Sequence, residues 1–174
     1  MIALVAALLL APLYDVQVLP AREDSIPVAL AGSRVLGNSD RGPWIWEGGD
    51  SFRYLFPADA RQLVAMGFNA RGDVVGYELS GTQKRAFLYT GGALSYPGTL
   101  GGGFSMGVGI AAGGRLVGDS KTISGQYHSF VFENGAARDL GTLGGDETMT
   151  ISVSPGGFAT GESQASDGTR HAFL

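Results

Sequence analysis

The sequence contains no cysteine, which rules out disulfide bonds, thiol nucleophiles and cysteine metal ligands. Charged residues make up only 16% of the 174-residue chain, the formal net charge is −4, and no run of lysine and arginine occurs. Because nucleic-acid binding depends on a concentrated positive surface, we expect no nucleic-acid partner. Long apolar runs are scarce as well. Residues 2–10 form an apolar run that is too short to cross a bilayer, so we expect no stable membrane span.

The apolar run at residues 2–10 has the length of the hydrophobic core of a secretory signal peptide, and Ala11 and Pro12 follow it. No lysine or arginine precedes it. We interpret residues 1–13 as a partial signal peptide and expect an exported bacterial protein, extracellular or at the cell surface. The alternative is that these residues form a buried first strand or helix.

Glycine is abundant, with 29 residues, and much of it recurs with a period of 43 residues. Phe87, Phe130 and Phe173 are 43 positions apart, and Thr-Leu-Gly-Gly at 99–102 returns at 142–145. Residues 85–131 align without a gap on residues 128–174, with 16 identities in 47 positions. A period of this length predicts repeated units that bury their apolar faces against one another.

Four units can be aligned, at about residues 14–46, 52–89, 94–132 and 137–174, so that residues 14–174 form a single repeat domain. Each unit is predicted to contain four short antiparallel strands, because apolar residues alternate with other types and glycine-rich pairs mark tight hairpin turns. A glycine that follows two apolar residues is a second anchor of the repeat: Gly37, Gly76, Gly118 and, more loosely, Gly161.

The aromatic strand of each unit is apolar on both sides. Phe87 and Tyr89 point to one side and Leu88 to the other, which indicates that both faces are buried. Four-stranded sheets packed face to face around an axis bury both faces, so the prediction is an all-β, β-propeller-like repeat domain. A fragment of a larger propeller or of a β-solenoid array is the alternative. We also expect residues 14–19 to pair with residues 170–174 and close the ring. An unclosed ring would favour self-association.

His171-Ala172-Phe173 and the segment from Asp139 to Gly145 resemble the HAF-repeat family of bacterial extracellular proteins. The resemblance covers about residues 14–174, with variants at 85–87 and 128–130 and only a remote match at 43–45. It implies an exported protein built from β repeats, often with a C-terminal surface-sorting signal. It implies no established activity and no catalytic residues.

Polar residues that do not follow the repeat are the better candidates for a site, because the repeat itself does not explain them. Asp146 and Glu147 have Gly103 and Phe104 at the equivalent positions, and Asp59 and Arg61 lie in a comparable loop. These four are our weak ligand-binding candidates. His128 and His171 occupy equivalent repeat positions, so we assign them a structural role. We predict no catalytic residues, no metal site and no cofactor.

Two short motifs have a structural interpretation. Residues 98–103 look like a phosphate-binding loop but lack its Lys-Ser/Thr ending and following helix, so we interpret them as a turn. Arg71-Gly72-Asp73 spells an integrin-binding tripeptide, but it falls on a predicted hairpin turn. We interpret this match as a coincidence.

The function predicted from the sequence is that of a non-enzymatic binding or scaffolding module at the bacterial surface or matrix. Its ligand would be a glycan or a surface protein, because irregular loops on a rigid repeated frame provide variable contacts. The alternative is a polysaccharide hydrolase or lyase that uses Asp146 or Glu147 as a carboxylate catalyst.

Overall fold

The computed structural model describes residues 18–19, 24–57 and 62–174. In these ranges the chain forms fifteen β-strands and no helix. The strands make four antiparallel sheets, which confirms the all-β prediction. Within the same ranges, no helix is long and apolar enough to cross a membrane.

The four sheets follow one another along the chain. The first contains β1 (Ile26–Ala31), β2 (Arg34–Ser39), β3 (Gly42–Gly48) and β4 (Ser51–Tyr54). The second contains β5 (Gln62–Phe68), β6 (Val74–Ser80), β7 (Gln83–Thr90) and β8 (Ala93–Ser95). The third contains β9 (Gly101–Ile110), β10 (Leu116–Thr122), β11 (Tyr127–Glu133) and β12 (Ala136–Asp139). The fourth contains β13 (Gly144–Val153), β14 (Ala159–Ala165) and β15 (Arg170–Phe173).

The sheets are offset from the units seen in the sequence. Turns at residues 91–92 and 134–135 fold the aromatic strands β7 and β11 back onto β8 and β12, so the outer strand belongs to the preceding sheet. The fourth sheet has three described strands. The predicted pairing of residues 14–19 with residues 170–174 lies largely outside the described residues. Val18 and Leu19 are described, and neither is in a strand.

Adjacent sheets pack face to face. One apolar cluster joins the first and second sheets and includes Leu36, Ile45 and Phe87. Another joins the second and third sheets and includes Val75, Leu116 and Phe130. The first strands β1, β5, β9 and β13 all border one cavity of about 370 Å³. Over the described residues, the sheets do not close into a ring.

The anchor glycines of the second, third and fourth sheets are required by a close approach of the first strand of the same sheet. A Cβ atom at Gly118 would lie well inside van der Waals contact with the carbonyl oxygen of Met106 on β9. Gly76 and Gly161 would meet the first strands of their own sheets in the same way. The glycine therefore allows the irregular register between the first and second strands.

Hydrogen bonds link the first turn of each sheet to the first turn of the next, and we call this end of the molecule the turn end. The Arg34 guanidinium donates to the carbonyl of Ala70. The Asn69 side chain donates to the carbonyl of Ala111 at 3.0 Å. The backbone N–H of Ala112 donates to Pro155 at 2.9 Å. The contacts run across all four sheets and fix their turns relative to one another.

The third and fourth sheets meet through a buried polar cluster. Asp119 Oδ1 accepts hydrogen bonds from the backbone N–H of Thr150 at 2.8 Å and from Ser129 Oγ at 3.0 Å. Its other oxygen, Oδ2, is buried without a hydrogen-bond partner among the described residues. Burial raises the pKa of Asp119, and the hydrogen bonds from Thr150 and Ser129 offset only part of this effect. The carboxyl group is therefore a costly element of the interface in its charged form.

Between the first and second sheets, Asn38 occupies the position that Asp119 has in the third sheet, and it does so without a buried charge. Asn38 and Asp119 both follow the anchor glycine of their sheet. Asn38 Oδ1 accepts from the backbone N–H of Ala65 at 2.9 Å, and Asn38 Nδ2 donates to the Ala65 carbonyl at 2.9 Å. The first sheet and the third sheet are thus each joined to the next sheet by a short polar side chain, and in Asn38 both polar atoms of the amide are hydrogen-bonded.

Candidate ligand-binding site

A polar cavity of about 560 Å³ lies between the second and third sheets, at the end of the strands opposite the turn end. We call it the inter-sheet cavity. Its lining comes from the ends of β5, β6 and β7 and from the segment that leads into β9. It includes Gln62, Glu78, Gln83, Lys84, Arg85, Thr99 and Gly103. The described part of the lining therefore brings together side-chain amides, hydroxyl groups, two positive charges and one carboxylate.

The two cations of the cavity are held by aromatic rings. Lys84 Nζ lies 4.2 Å from the centroid of the Tyr77 ring, and the Arg85 guanidinium lies 3.8 Å from that of Tyr96. Among the described residues, no ion pair involves Lys84 or Arg85. Glu78 is the one carboxylate among the described residues of the lining, so these residues carry an excess of positive charge.

The Thr-Leu-Gly-Gly motif shapes the rim of this cavity. Ser120 Oγ accepts a hydrogen bond from the backbone N–H of Leu100 at 2.9 Å, and Gly101 has a φ of +101°, which favours glycine. The second copy repeats both features at Leu143 and Gly144. The motif is therefore a turn that leads into the first strand, and in the third sheet it places Thr99 and Gly103 at the cavity.

The sequence candidates Asp146 and Glu147 lie at the start of the fourth sheet. Asp146 Oδ1 accepts from Gln126 Nε2 at 2.8 Å, and Glu147 Oε2 accepts from the Arg170 guanidinium at 2.6 Å. Both carboxylates are thus bonded to neighbouring side chains, and neither borders the inter-sheet cavity. The other two candidates, Asp59 and Arg61, lie outside the described residues.

The histidines form local contacts. His128 Nδ1 lies 2.8 Å from Asp139 Oδ2 on the adjacent strand of the same sheet. Arg85 and Tyr96, one period earlier in the sequence, form the cation–π contact described above. His128 and Arg85 therefore make equivalent contacts, each between the third strand of its sheet and the end of the outer strand. His171 Nε2 lies 2.8 Å from Thr169 Oγ1.

A second cavity, of about 440 Å³, lies between the third and fourth sheets. Residues of and after β12 line one wall, and the fourth sheet has no described outer strand opposite them. The Arg115–Glu133 ion pair, at 3.0 Å, lies at its edge. We interpret this space as a gap in the packing of the sheets.

The Arg-Gly-Asp tripeptide forms the turn between β5 and β6. Asp73 is 5% exposed, and its carboxylate accepts hydrogen bonds from Asn69, Arg71 and Thr90 at 2.6–2.9 Å. Burial raises the pKa of Asp73, but the hydrogen bonds from Thr90, Asn69 and Arg71 outweigh it and leave the pKa below its ordinary value. The carboxylate therefore stabilises the turn through these hydrogen bonds.

This arrangement predicts a loss of stability in acid. Because the pKa of Asp73 is lower in the folded chain, its charge stabilises the fold above about pH 3.8, and the gain disappears as the pH falls through the folded pKa. Asp73→Asn should lower the free energy of unfolding at pH 7 by on the order of 1 kcal/mol, with a smaller difference in acid. Urea denaturation between pH 2 and 7 measures this, with the exposed Asp50→Asn as control. An equal loss at every pH would contradict it.

Comparisons with known proteins identify no family for this chain. No protein-family model matches the chain, and no curated protein matches it. Among solved structures, it is similar to the X-ray structure of a candidate gluconolactonase, with 14% sequence identity and a TM-score of 0.45. The similarity covers 80% of this chain and 59% of that one. At this level of similarity nothing about activity carries over.

Proposed function

We propose that the four sheets are blades of a propeller-type arrangement, open over the described residues, and that the protein is a non-enzymatic, exported binding module for a glycan. The observation that carries the proposal is the inter-sheet cavity. Its volume of about 560 Å³ falls in the range of small-ligand sites, and its amides, hydroxyls and charged groups suit a hydroxyl-rich ligand. A surface protein is the alternative ligand.

The arrangement of the first strands supports the propeller-type arrangement. Residues of β1, β5, β9 and β13 line one cavity, as strands nearest a common axis do. Export is supported by the apolar run at residues 2–10, and the HAF-type repeat agrees with it.

A polysaccharide hydrolase would require two carboxylates on either side of a bound chain, about 5–9.5 Å apart. The acids suggested by the sequence, Asp146 and Glu147, are instead bonded to Gln126 and Arg170. We therefore propose binding without cleavage.

The test is to measure retention and cleavage together. The purified chain is passed over immobilised bacterial and plant polysaccharides, and reducing ends are assayed in the same samples. We expect retention of at least one polysaccharide, no release of reducing ends, and unchanged retention by the Asp146→Asn/Glu147→Gln double variant. Reducing ends that appear with the native chain and vanish with the double variant would replace the proposal with a carboxylate hydrolase. No retention of any polysaccharide would refute glycan binding.

A further inference from the structure

The repeat allows the inter-sheet cavity to be compared with its own counterpart. Gln83 and Gly103 face each other between the second and third sheets, and Gln126 and Asp146 occupy the same positions one period later. Between the third and fourth sheets, the Asp146 carboxylate accepts a hydrogen bond from Gln126 Nε2 at 2.8 Å. In that copy the glutamine donor is therefore paired with a carboxylate of the protein itself.

In the cavity the corresponding carboxylate is missing because position 103 is glycine. Gln83 Nε2 lies 3.9 Å from the place that a Cβ atom of residue 103 would take, and this is the nearest atom to it. The donor therefore lies within reach of a side chain placed at residue 103, and the space for an acceptor is open. Lys84 and Arg85 line the same cavity, where the other copy has Tyr127 and His128.

We propose that the inter-sheet cavity binds the carboxylate of an acidic sugar, a uronate unit of a polysaccharide. The ligand carboxylate takes the place of the Asp146 side chain, accepts a hydrogen bond from Gln83 Nε2, and is attracted by Lys84 and Arg85, whose two charges exceed that of Glu78. Charge-assisted hydrogen bonds of this kind are stronger than neutral ones and supply the preference for an acid.

The rest of the lining favours a sugar over an acidic peptide. Gln62, Ser80 and Thr99 add amide and hydroxyl groups that can both donate and accept hydrogen bonds, as sugar hydroxyls require. The inference rests on the proposed glycan binding and specifies the class of glycan.

Gly103→Asp is the variant that tests the site most directly. Gly103 has no positive φ, and no atom would lie within 3.9 Å of the new Cβ, so aspartate fits without strain. Its carboxylate would bond Gln83 as Asp146 bonds Gln126, and the site would be occupied from within. Gly103→Ala adds the same Cβ atom without the carboxylate and is the matched control.

The experiment is isothermal titration of the full chain with an oligogalacturonate, beside a neutral galactan oligosaccharide of the same length and poly-glutamate. We expect the native chain and Gly103→Ala to bind the oligogalacturonate alike, and Gly103→Asp to bind it at least about tenfold more weakly. Lys84→Met should also weaken binding. Thermal unfolding confirms that each variant is folded, and the side-chain amide resonance of Gln83 should shift with the oligogalacturonate.

Equal affinity of the native chain and Gly103→Asp for the oligogalacturonate would overturn the inference, as would equal binding of the neutral oligosaccharide. Poly-glutamate binding that Gly103→Asp abolishes, without uronate binding, would reassign the site to an acidic peptide. Retention of neutral polysaccharides with no effect of Gly103→Asp would leave the proposed function standing and refute this inference alone.

Discussion

Replacement of Gly118 by alanine is expected to lower the free energy of unfolding by about 3 kcal/mol. The added Cβ atom collides with the backbone carbonyl of Met106, and backbone atoms of a buried strand cannot move aside as a flexible side chain can. The strands β9 and β10 must separate, and this disturbs the core around Leu116 and Phe130.

Chemical denaturation of the two proteins measures this loss. Gly113→Ala is the matched control, because Gly113 lies in the neighbouring turn with no positive φ and with nothing within 4 Å of an added Cβ. The control should change the free energy of unfolding by less than about 0.5 kcal/mol. If both variants had the same stability, the close approach of β9 to Gly118 would not be the reason for the glycine.

Replacement of Asp119 by asparagine is expected to raise the free energy of unfolding at pH 7 by about 2 kcal/mol. Asp119 Oδ2 is buried without a partner among the described residues, whereas an asparagine Nδ2 there could donate to the Thr150 carbonyl as Asn38 does to Ala65. The Oδ1 atom would keep its bonds from Thr150 and Ser129.

The gain should depend on pH. The pKa of Asp119 is raised in the folded chain, so the native protein loses stability as the pH rises from about 3.8 through the folded pKa. The asparagine side chain of Asp119→Asn cannot ionise, so the advantage of the variant grows over the same interval. Denaturation at pH 4 to 7 measures it, and Glu162→Gln, at the exposed equivalent position of the fourth sheet, should show little change. A lower free energy of unfolding for Asp119→Asn at pH 7 would contradict the prediction and show that the charged carboxylate stabilises the interface.

The architecture was predictable where the repeat is strong. The 43-residue period and the glycine-rich turns indicated antiparallel sheets, and the turns at 91–92 and 134–135 are where they were expected. The same turns predicted that each aromatic strand folds back onto the strand that follows it, and this pairing is the reason that the sheets are offset from the sequence units. The hydrogen bonds by which Asn38 and Asp119 each join their own sheet to the next were not predicted, although each residue follows an anchor glycine in the sequence.

The inter-sheet cavity was not predicted from the sequence, for a different reason. The sequence drew attention to Asp146, because its carboxylate is absent from the other copy, and the structure shows that carboxylate bonded to Gln126. The residue on which the proposed site depends is its counterpart Gly103, which lines the inter-sheet cavity and carries no side chain there. A search for unusual polar residues does not draw attention to a glycine. Comparison of the two copies does, once it is known that positions 83 and 103 face each other across two sheets.

The turn end has a consequence for how such a protein can change. Hydrogen bonds from Arg34, Asn69 and Ala112 connect all four sheets there, while the inter-sheet cavity lies at the far end of the strands. Substitutions at the cavity leave those connections in place. The ligand preference of one inter-sheet gap can therefore change, by evolution or by engineering, without change at the other gaps. The hydrogen bonds that hold the sheets together are made by other residues of the same repeats.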